Sequence, residues 1–393
     1  MQASEEDGRV ADLEDGVMHA PRIAIVSDPL VQRGGAERCV EAMAEAFPEA
    51  PIFSILFDER NGPSSLAPRV RSSFLARLPL AGRRHRMLWP LYRAAVESFD
   101  LRPYDVILSS HHTTAKSLLH RADQLHICYC HTPMRAIWER PFEEIATLPR
   151  PLRGAARAFF SGARLRDAAT ANRVDHFLAN SRETQRRVAS HYRRPSVIIH
   201  PPIETEKFLP GSGEPEDVYL IASRVVPYKR IDVAIAAAER LKRRVVVTSK
   251  RPSGMTTSSR ISFVGALPDT ELVGLMQRSR ALLYPQHEDF GMAPLEMNAC
   301  GRPVIAFAAG GALETIVDGV TGVFAHEQTP TAFARAIEAF ERHPFDPSAL
   351  RVHAERFSRG RFVRELRGFV DHAWSRRDEH PGHLRDAFMN RDF

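Results

Sequence analysis

The chain has 393 residues, room for two domains of about 150 residues each. Hydrophobic residues make up 44%, charged residues 26%, and no apolar run approaches the ~20 residues of a membrane helix, so a globular protein is expected. The net charge of +6 invites nucleic acid, anionic lipid or phosphate-rich ligands, but no aromatic-interleaved RNA motif or zinc-finger pattern accompanies it, which sets nucleic acid aside.

Residues 1–20 carry Glu5, Glu6, Asp7, Asp12, Glu14 and Asp15 against Arg9 and lack an apolar h-region, so a disordered acidic tail and no secretory leader are expected. Arg22-Ile-Ala-Ile-Val-Ser-Asp28 is a buried-strand run. A Gly34-Gly35 turn and a helical pattern through Ala46 follow, the opening of a nucleotide-binding α/β unit. No G-x-G-x-x-G or P-loop occurs, which argues against NAD and ATP. From Arg69 to Arg93 seven arginines and no acid are interleaved with Trp89 and several leucines, a pattern suited to an anionic membrane surface. A second basic, apolar stretch runs from Pro149 to Arg166.

Further strands are expected at 105–109, 125–130, 175–179 and 196–200. Tyr129-Cys-His-Thr-Pro-Met-Arg135 places His131 at a strand's carboxyl end, where open α/β sheets bind ligands. Cys39, Cys128, Cys130 and Cys300 are not spaced like a zinc site; buried, reduced thiols of a cytoplasmic protein are expected. The aperiodic, Gly- and Pro-rich segment from Pro201 to Asp217 separates two domains, 21–205 and 215–355, with a final helical stretch over 356–380.

The second half restarts the rhythm with a strand at 218–222 and the turn Ser223-Arg-Val-Val-Pro-Tyr-Lys-Arg230. Arg224 and Lys229 lie five apart across that turn and can form a diphosphate clamp. Strands at 244–248, 261–265 and 281–284 lead to Glu288-Asp-Phe-Gly-Met-Ala-Pro-Leu-Glu296. Pro294 suits the first position of a helix and Gly301 the residue just past it. Gly291, loop amides and a helix N-terminus form an anion site. Carboxylates on either side of it suit a phosphate that carries sugars. Beyond lie a strand at 303–307, the turn Ala309-Gly-Gly-Ala-Leu-Glu314 and a hairpin-like turn at Asp318–Gly322.

The Glu-x7-Glu motif resembles the donor site of retaining glycosyltransferases of family 4. Further matches extend the resemblance from about Pro21 to Trp374. It implies the GT-B fold: two Rossmann-like domains facing across a cleft, the second holding a nucleotide-sugar, with a terminal helix crossing back to the first. By that resemblance Gly35 is a cleft residue, His131 touches the donor sugar, and Arg224 and Lys229 hold the leaving diphosphate. Backbone groups at Val264 and Gly265 read the base. Phe290, Gly291, Met292 and Ala293 line the donor loop, Glu288 holds sugar hydroxyls and Glu296 the ribose. The Gly310-Gly311 turn closes the floor of the cleft. No metal is required. Lys250-Arg-Pro-Ser-Gly254 stands where many relatives have a glycine-rich turn.

The implied activity is retaining hexosyl transfer to a hydroxyl. Tyr129–Arg135 and Pro227–Asp232 look most like GDP-mannose enzymes that extend polyprenyl-diphosphate-linked glycans in bacterial exopolysaccharide assembly. The implied partners are the donor, a lipid-linked glycan and an anionic membrane surface, with a peripheral location on the inner face of the plasma membrane. Open alternatives are a UDP-sugar donor, a sugar-nucleotide epimerase and a non-catalytic binding subunit.

Overall fold

A computed structural model describes residues 20–79, 81–82 and 85–377. The tail expected over 1–20 lies outside the described residues except at Ala20, as do Leu80, Arg83 and Arg84 of the first basic stretch.

Two parallel sheets organise the chain. The first holds β1 (Ile23–Ser27), β2 (Ile52–Ser54), β3 (Val70–Ser72), β4 (Val106–His111), β5 (Leu125–Cys130), β6 (His176–Ala179) and β7 (Ser196–Ile198) in the order β3-β2-β1-β4-β5-β6-β7. The second holds β8 (Tyr219–Ile221), β9 (Val245–Val247), β10 (Ile261–Phe263), β11 (Ala281–Tyr284), β12 (Val304–Phe307) and β13 (Gly322–Ala325) in the order β10-β9-β8-β11-β12-β13. Helices cover both faces of a parallel sheet, so central strands read as unbroken apolar runs. β11 does so, as do β1 up to Ser27 and β5 apart from His126, and all three are almost wholly buried.

The helices that matter for the site are α1 (Gly35–Ala46), α2 (Arg153–Thr170), α3 (Arg182–Arg187), α4 (Ile231–Arg240), α5 (Asp269–Arg278), α6 (Met292–Ala299) and α7 (Arg359–Ser375). α7 returns to the first domain, where Phe362, Leu366, Phe369 and Val370 join the core formed by Ile25, Val40, Met43 and Ile127. Each such side chain contributes roughly 1.5–3 kcal/mol by leaving water, which ties the two domains together.

In each sheet the strand order reverses once, between β1 and β4 and between β8 and β11. Ligands of open α/β sheets bind at the carboxyl ends of strands at such a reversal. Asp28, His111 and His112 stand at the first reversal; Arg224 and the loop from Pro285 to Gly291 follow the strands of the second.

Three short strands differ from expectation. β2 and β3 are not among the expected strands, and β3 lies inside the arginine-rich stretch read as a surface segment. β13 follows the turn at Asp318–Gly322, which feeds a strand parallel to β12 rather than a hairpin. Pro294 is the third residue of α6, not its first, because Gly291 is the N-cap. Gly301 takes φ +72° just past that helix, as expected.

Candidate active site

The loop between β11 and α6 is fixed by glycine geometry. Gly291 has φ +86°, and a side chain there would strike the Tyr284 hydroxyl. Gly311 packs so closely under Phe290 that no Cβ fits, and its N–H donates to the Glu288 carbonyl at 2.9 Å. The Gly310-Gly311 turn is therefore the floor of this loop. A Cβ on Gly35 would come within 2.7 Å of Met292 Sδ. The N-termini of α1 and α6, one from each domain, thus meet, and both carry the positive end of a helix dipole.

The carboxylates of the loop look across the cleft. Glu288 Oε1 lies 3.2 Å from Lys229 Nζ of its own domain, and Oε2 lies 3.4 Å from Arg135 Nη1 of the first domain. Asp289 pairs with Arg187 of α3, with Arg135 at 3.9 Å. Burial pushes the Asp289 carboxyl up, and Arg135 and Arg187 oppose it. Glu296 sits in the second turn of α6, buried, with its Oε1 bonded to Arg38 of α1. Burial raises its pKa against the pull of Arg38. Arg38 also lies 3.6 Å from Glu204 and 3.7 Å from Asp269, so acids from both domains converge on it.

The first-domain wall is built differently. Asp28 is buried and accepts backbone N–H bonds from His112, Thr113, Thr114 and Ala115 at 2.7, 2.7, 2.9 and 3.1 Å. Burial works against its charge, but His112, His111 and the amides win and hold it below the usual range. His131 is buried, its Nε2 2.9 Å from Ser110 Oγ, and burial lowers its pKa to about 3. It is a neutral imidazole, its ring edge-on to Tyr129 and 6.2 Å from His112.

Other residues singled out in the sequence are less convergent. Arg224 is exposed on the rim of the turn, near enough to Glu37 to help hold that carboxylate's charge. Phe290 is buried: it stacks on His200 and packs with Phe357, Ile203 and Leu295. The N–H groups of Val264 and Gly265 are committed to the Val247 and Ser249 carbonyls at 3.0 and 3.1 Å.

Several site residues carried no sequence signal of their own. These are Arg38, Arg135 and Arg187; Glu314, which ends the glycine turn singled out in the sequence, accepts the Arg182 N–H at 2.8 and 3.0 Å and so caps α3 from across the cleft. Arg135 and Arg140 lie over the Tyr228 ring at 5.2 and 4.0 Å. The motif around His131 ends on Arg135, the one available hint.

The two basic, apolar stretches form a single face. Trp89 meets Phe159 and Phe160 edge-on, with ring centres 5.2 and 5.9 Å apart. A cavity of about 70 Å³ lies there, walled by Trp89, Met134, Ile137 and Phe159 with Arg93 and Arg166. Met87 and Leu165 stand exposed in these segments, at 73% and 74%, and Phe142, between them in sequence, at 80%. Among the described residues no helix is long and apolar enough to cross a membrane, and no group of three or more His, Cys, Asp or Glu could hold a metal ion.

Residues 33–207 match the family model described as Glycosyltransferase Family 4, and residues 254–358 the one described as Glycosyl transferases group 1, together more than two thirds of the chain. The chain belongs to the group 1/family 4 glycosyltransferases. Its two parallel-sheet domains are those of the GT-B fold. A D-inositol 3-phosphate glycosyltransferase of Geodermatophilus obscurus is 30% identical over 231 residues, 49% of this chain and 51% of that protein. The Mycobacterium avium enzyme of the same name is 28% identical over 219 residues, 47% of this chain and 52% of that protein. The chain therefore spans about half the length of the curated relatives it matches. Anabaena HepE, crystallised with UDP and glucose, superimposes with a TM-score of 0.66 at 16% identity over 90% of this chain and 100% of that one. Sucrose-phosphate synthase from Thermosynechococcus elongatus gives 0.67 at 16% identity, with 90% and 100% covered. At that identity the likeness is one of fold.

Proposed function

We propose that this family 4 glycosyltransferase moves a hexose from a nucleotide diphosphate sugar to an acceptor hydroxyl with retention of configuration. The observation that carries the reading is the meeting of two helix N-termini at Gly35 and Met292, beside Lys229 and between Glu288 and Glu296. A diphosphate suits the dipole ends, and its charge grows as the glycosidic bond breaks. Lys229, Arg224 and the amides near Gly291 stabilise that charge electrostatically, and a single well-placed donor contributes about 3–4 kcal/mol to such a step. Glu288 accepts from sugar hydroxyls. Arg38 holds Oε1 of Glu296, and a carboxylate keeps further lone pairs on its other oxygen for ribose hydroxyls. The neutral His131 offers the sugar a hydrogen bond without a charge.

We favour mannose from GDP-mannose as donor, on the likeness of Tyr129–Arg135 and Pro227–Asp232 to such enzymes. The favoured acceptor is a polyprenyl-diphosphate-linked oligosaccharide of polysaccharide assembly. The face around Trp89 supports it, since exposed apolar side chains ringed by arginines suit an anionic membrane surface and a lipid phosphate. Such a protein works as a peripheral enzyme on the cytoplasmic side. A UDP-sugar with a phosphorylated polyol acceptor is the second reading, favoured by the names of the inositol phosphate relatives and by the UDP held by HepE.

The test is the thermal shift of the purified protein with GDP, UDP and ADP, with Glu296→Ala as control, followed by transfer from the matching nucleotide-sugars. A GDP-selective shift lost in the variant supports the favoured donor. A UDP-selective shift moves the assignment to the second reading. No shift with any of the three sinks the donor site.

A further inference from the structure

The motif that places His131 ends on Arg135, an arginine that the proposed chemistry leaves without a role. Arg135 opens a short helix, Arg135–Trp138, in the loop after β5, and its side chain crosses to the second domain. There it lies 3.4 Å from Glu288 Oε2, 3.5 Å from the His287 carbonyl and 3.9 Å from Asp289. Lys229 holds the other oxygen of the same carboxylate at 3.2 Å. Glu288 is thus held between one cation from each domain. Its neighbour Tyr228 lies under Arg135 and Arg140.

The pair is not saturated. Among the described residues, Arg135 Nε and Glu288 Oε1 are buried atoms that complete no hydrogen bond. Arg135 meets Glu288 through one nitrogen at the long end of the range rather than as a bidentate fork. Such a contact fixes where a carboxylate points while leaving lone pairs for a ligand, and a hydroxyl-bearing group completes it.

We propose that Arg135 is a positioning residue for donor-sugar recognition: from across the cleft it orients the Glu288 carboxylate toward the sugar hydroxyls. The inference rests on the glycosyl-transfer reading above. It requires the first domain, so the sugar is held in register only when the cleft is closed, and the groups Arg135 meets are not the ones assigned to the nucleoside and diphosphate. An arginine placed this way acts on turnover more than on nucleotide affinity.

Arg140 supplies the internal comparison. It lies over the same Tyr228 ring and belongs to the same loop, and it pairs with Glu144 at 3.7 Å rather than with Glu288. Wild type, Arg135→Met, Arg135→Lys and Arg140→Met are assayed for release of nucleoside diphosphate from GDP-mannose and UDP-glucose without acceptor. Binding of GDP and UDP is titrated calorimetrically, and thermal midpoints verify folding. Arg135→Met is expected to lose at least 100-fold in kcat with nucleotide Kd within threefold, Arg135→Lys to recover part of the loss, and Arg140→Met to stay within fivefold. If wild type turns over and Arg135→Met stays within threefold, the inference is overturned and the functional reading stands. Equal losses in Arg135→Met and Arg140→Met assign the effect to the Tyr228 contact and overturn it as well. If wild type turns over neither donor, the functional reading fails and the inference with it.

Discussion

The two walls of the cleft satisfy their charges in opposite ways. On the first-domain wall, Asp28 is clasped by amides of its own domain, His131 bonds to Ser110, and the buried Lys116 finds Asp167 at 2.6 Å. Asp167 in turn accepts from Trp138 and Tyr192 at 2.7 and 2.9 Å, again within the first domain. On the second-domain wall, Glu288, Asp289 and Glu296 look outward to Arg135, Arg187 and Arg38. One wall is complete by itself, and the other is completed by closure. Burying a charge without its partner costs several kcal/mol, so the outward-looking wall makes the shut cleft an electrostatic requirement.

The sharpest way to break this contrast is to remove the self-contained pair. Lys116→Met leaves Asp167 buried against a methionine and is expected to lower unfolding free energy by about 3–5 kcal/mol in a denaturant titration. Lys116→Met with Asp167→Leu should regain much of it, since replacing both partners of a buried pair with apolar groups is often neutral. A loss under ~1 kcal/mol in the single variant would show that this wall is not held by its charges.

Lys229→Ala tests the opposite wall at its chemistry. Turnover should fall about 100- to 1000-fold with an unchanged thermal midpoint. Wild-type turnover would remove Lys229 from the clamp.

A smaller effect is expected at the Glu314 cap. Glu314→Ala frees the Arg182 N–H and removes a negative charge from the N-terminus of α3, at a cost of about 1 kcal/mol by denaturant unfolding. No change would mean that the cap across the cleft contributes nothing to keeping the domains together.

Acid should act on the two walls with opposite signs, and weakly. Burial lowers His126 and His131 to about 3 and His200 to about 4. The folded state keeps these rings neutral, while the unfolded chain takes up protons below about 6.5. Their contribution is therefore full above pH 6.5 and declines as pH falls toward 4, by up to about 1.4 kcal/mol per group per unit. Glu296 and Asp289, with raised values, are stabilised by acid and pull the other way. Thermal midpoints between pH 7.5 and 5.5 should fall on acidification, and less steeply in His131→Asn. An equal slope in that variant would show that His131 is protonated in the folded protein.

The chain itself specifies whatever is local. The long buried strands are legible because a parallel strand covered on both faces is mostly apolar. Gly301 is legible because positive φ selects glycine, and the loop between two acids is a fixed number of residues wherever the chain goes. The edge strand β3, Val70-Arg-Ser, escapes because it is largely exposed and carries no apolar run. The convergence of the two arginine-rich stretches on Trp89 and Phe159 likewise appears only in three dimensions. Only the tertiary structure decides which cation meets which acid. Arg38 and Glu296 are 258 residues apart and Arg135 and Glu288 are 153 apart. In a chain with 54 basic and 48 acidic side chains, charge at that range carries no address. The pairing is set by closure of one domain on the other, driven by α7 burying its apolar face in the first-domain core.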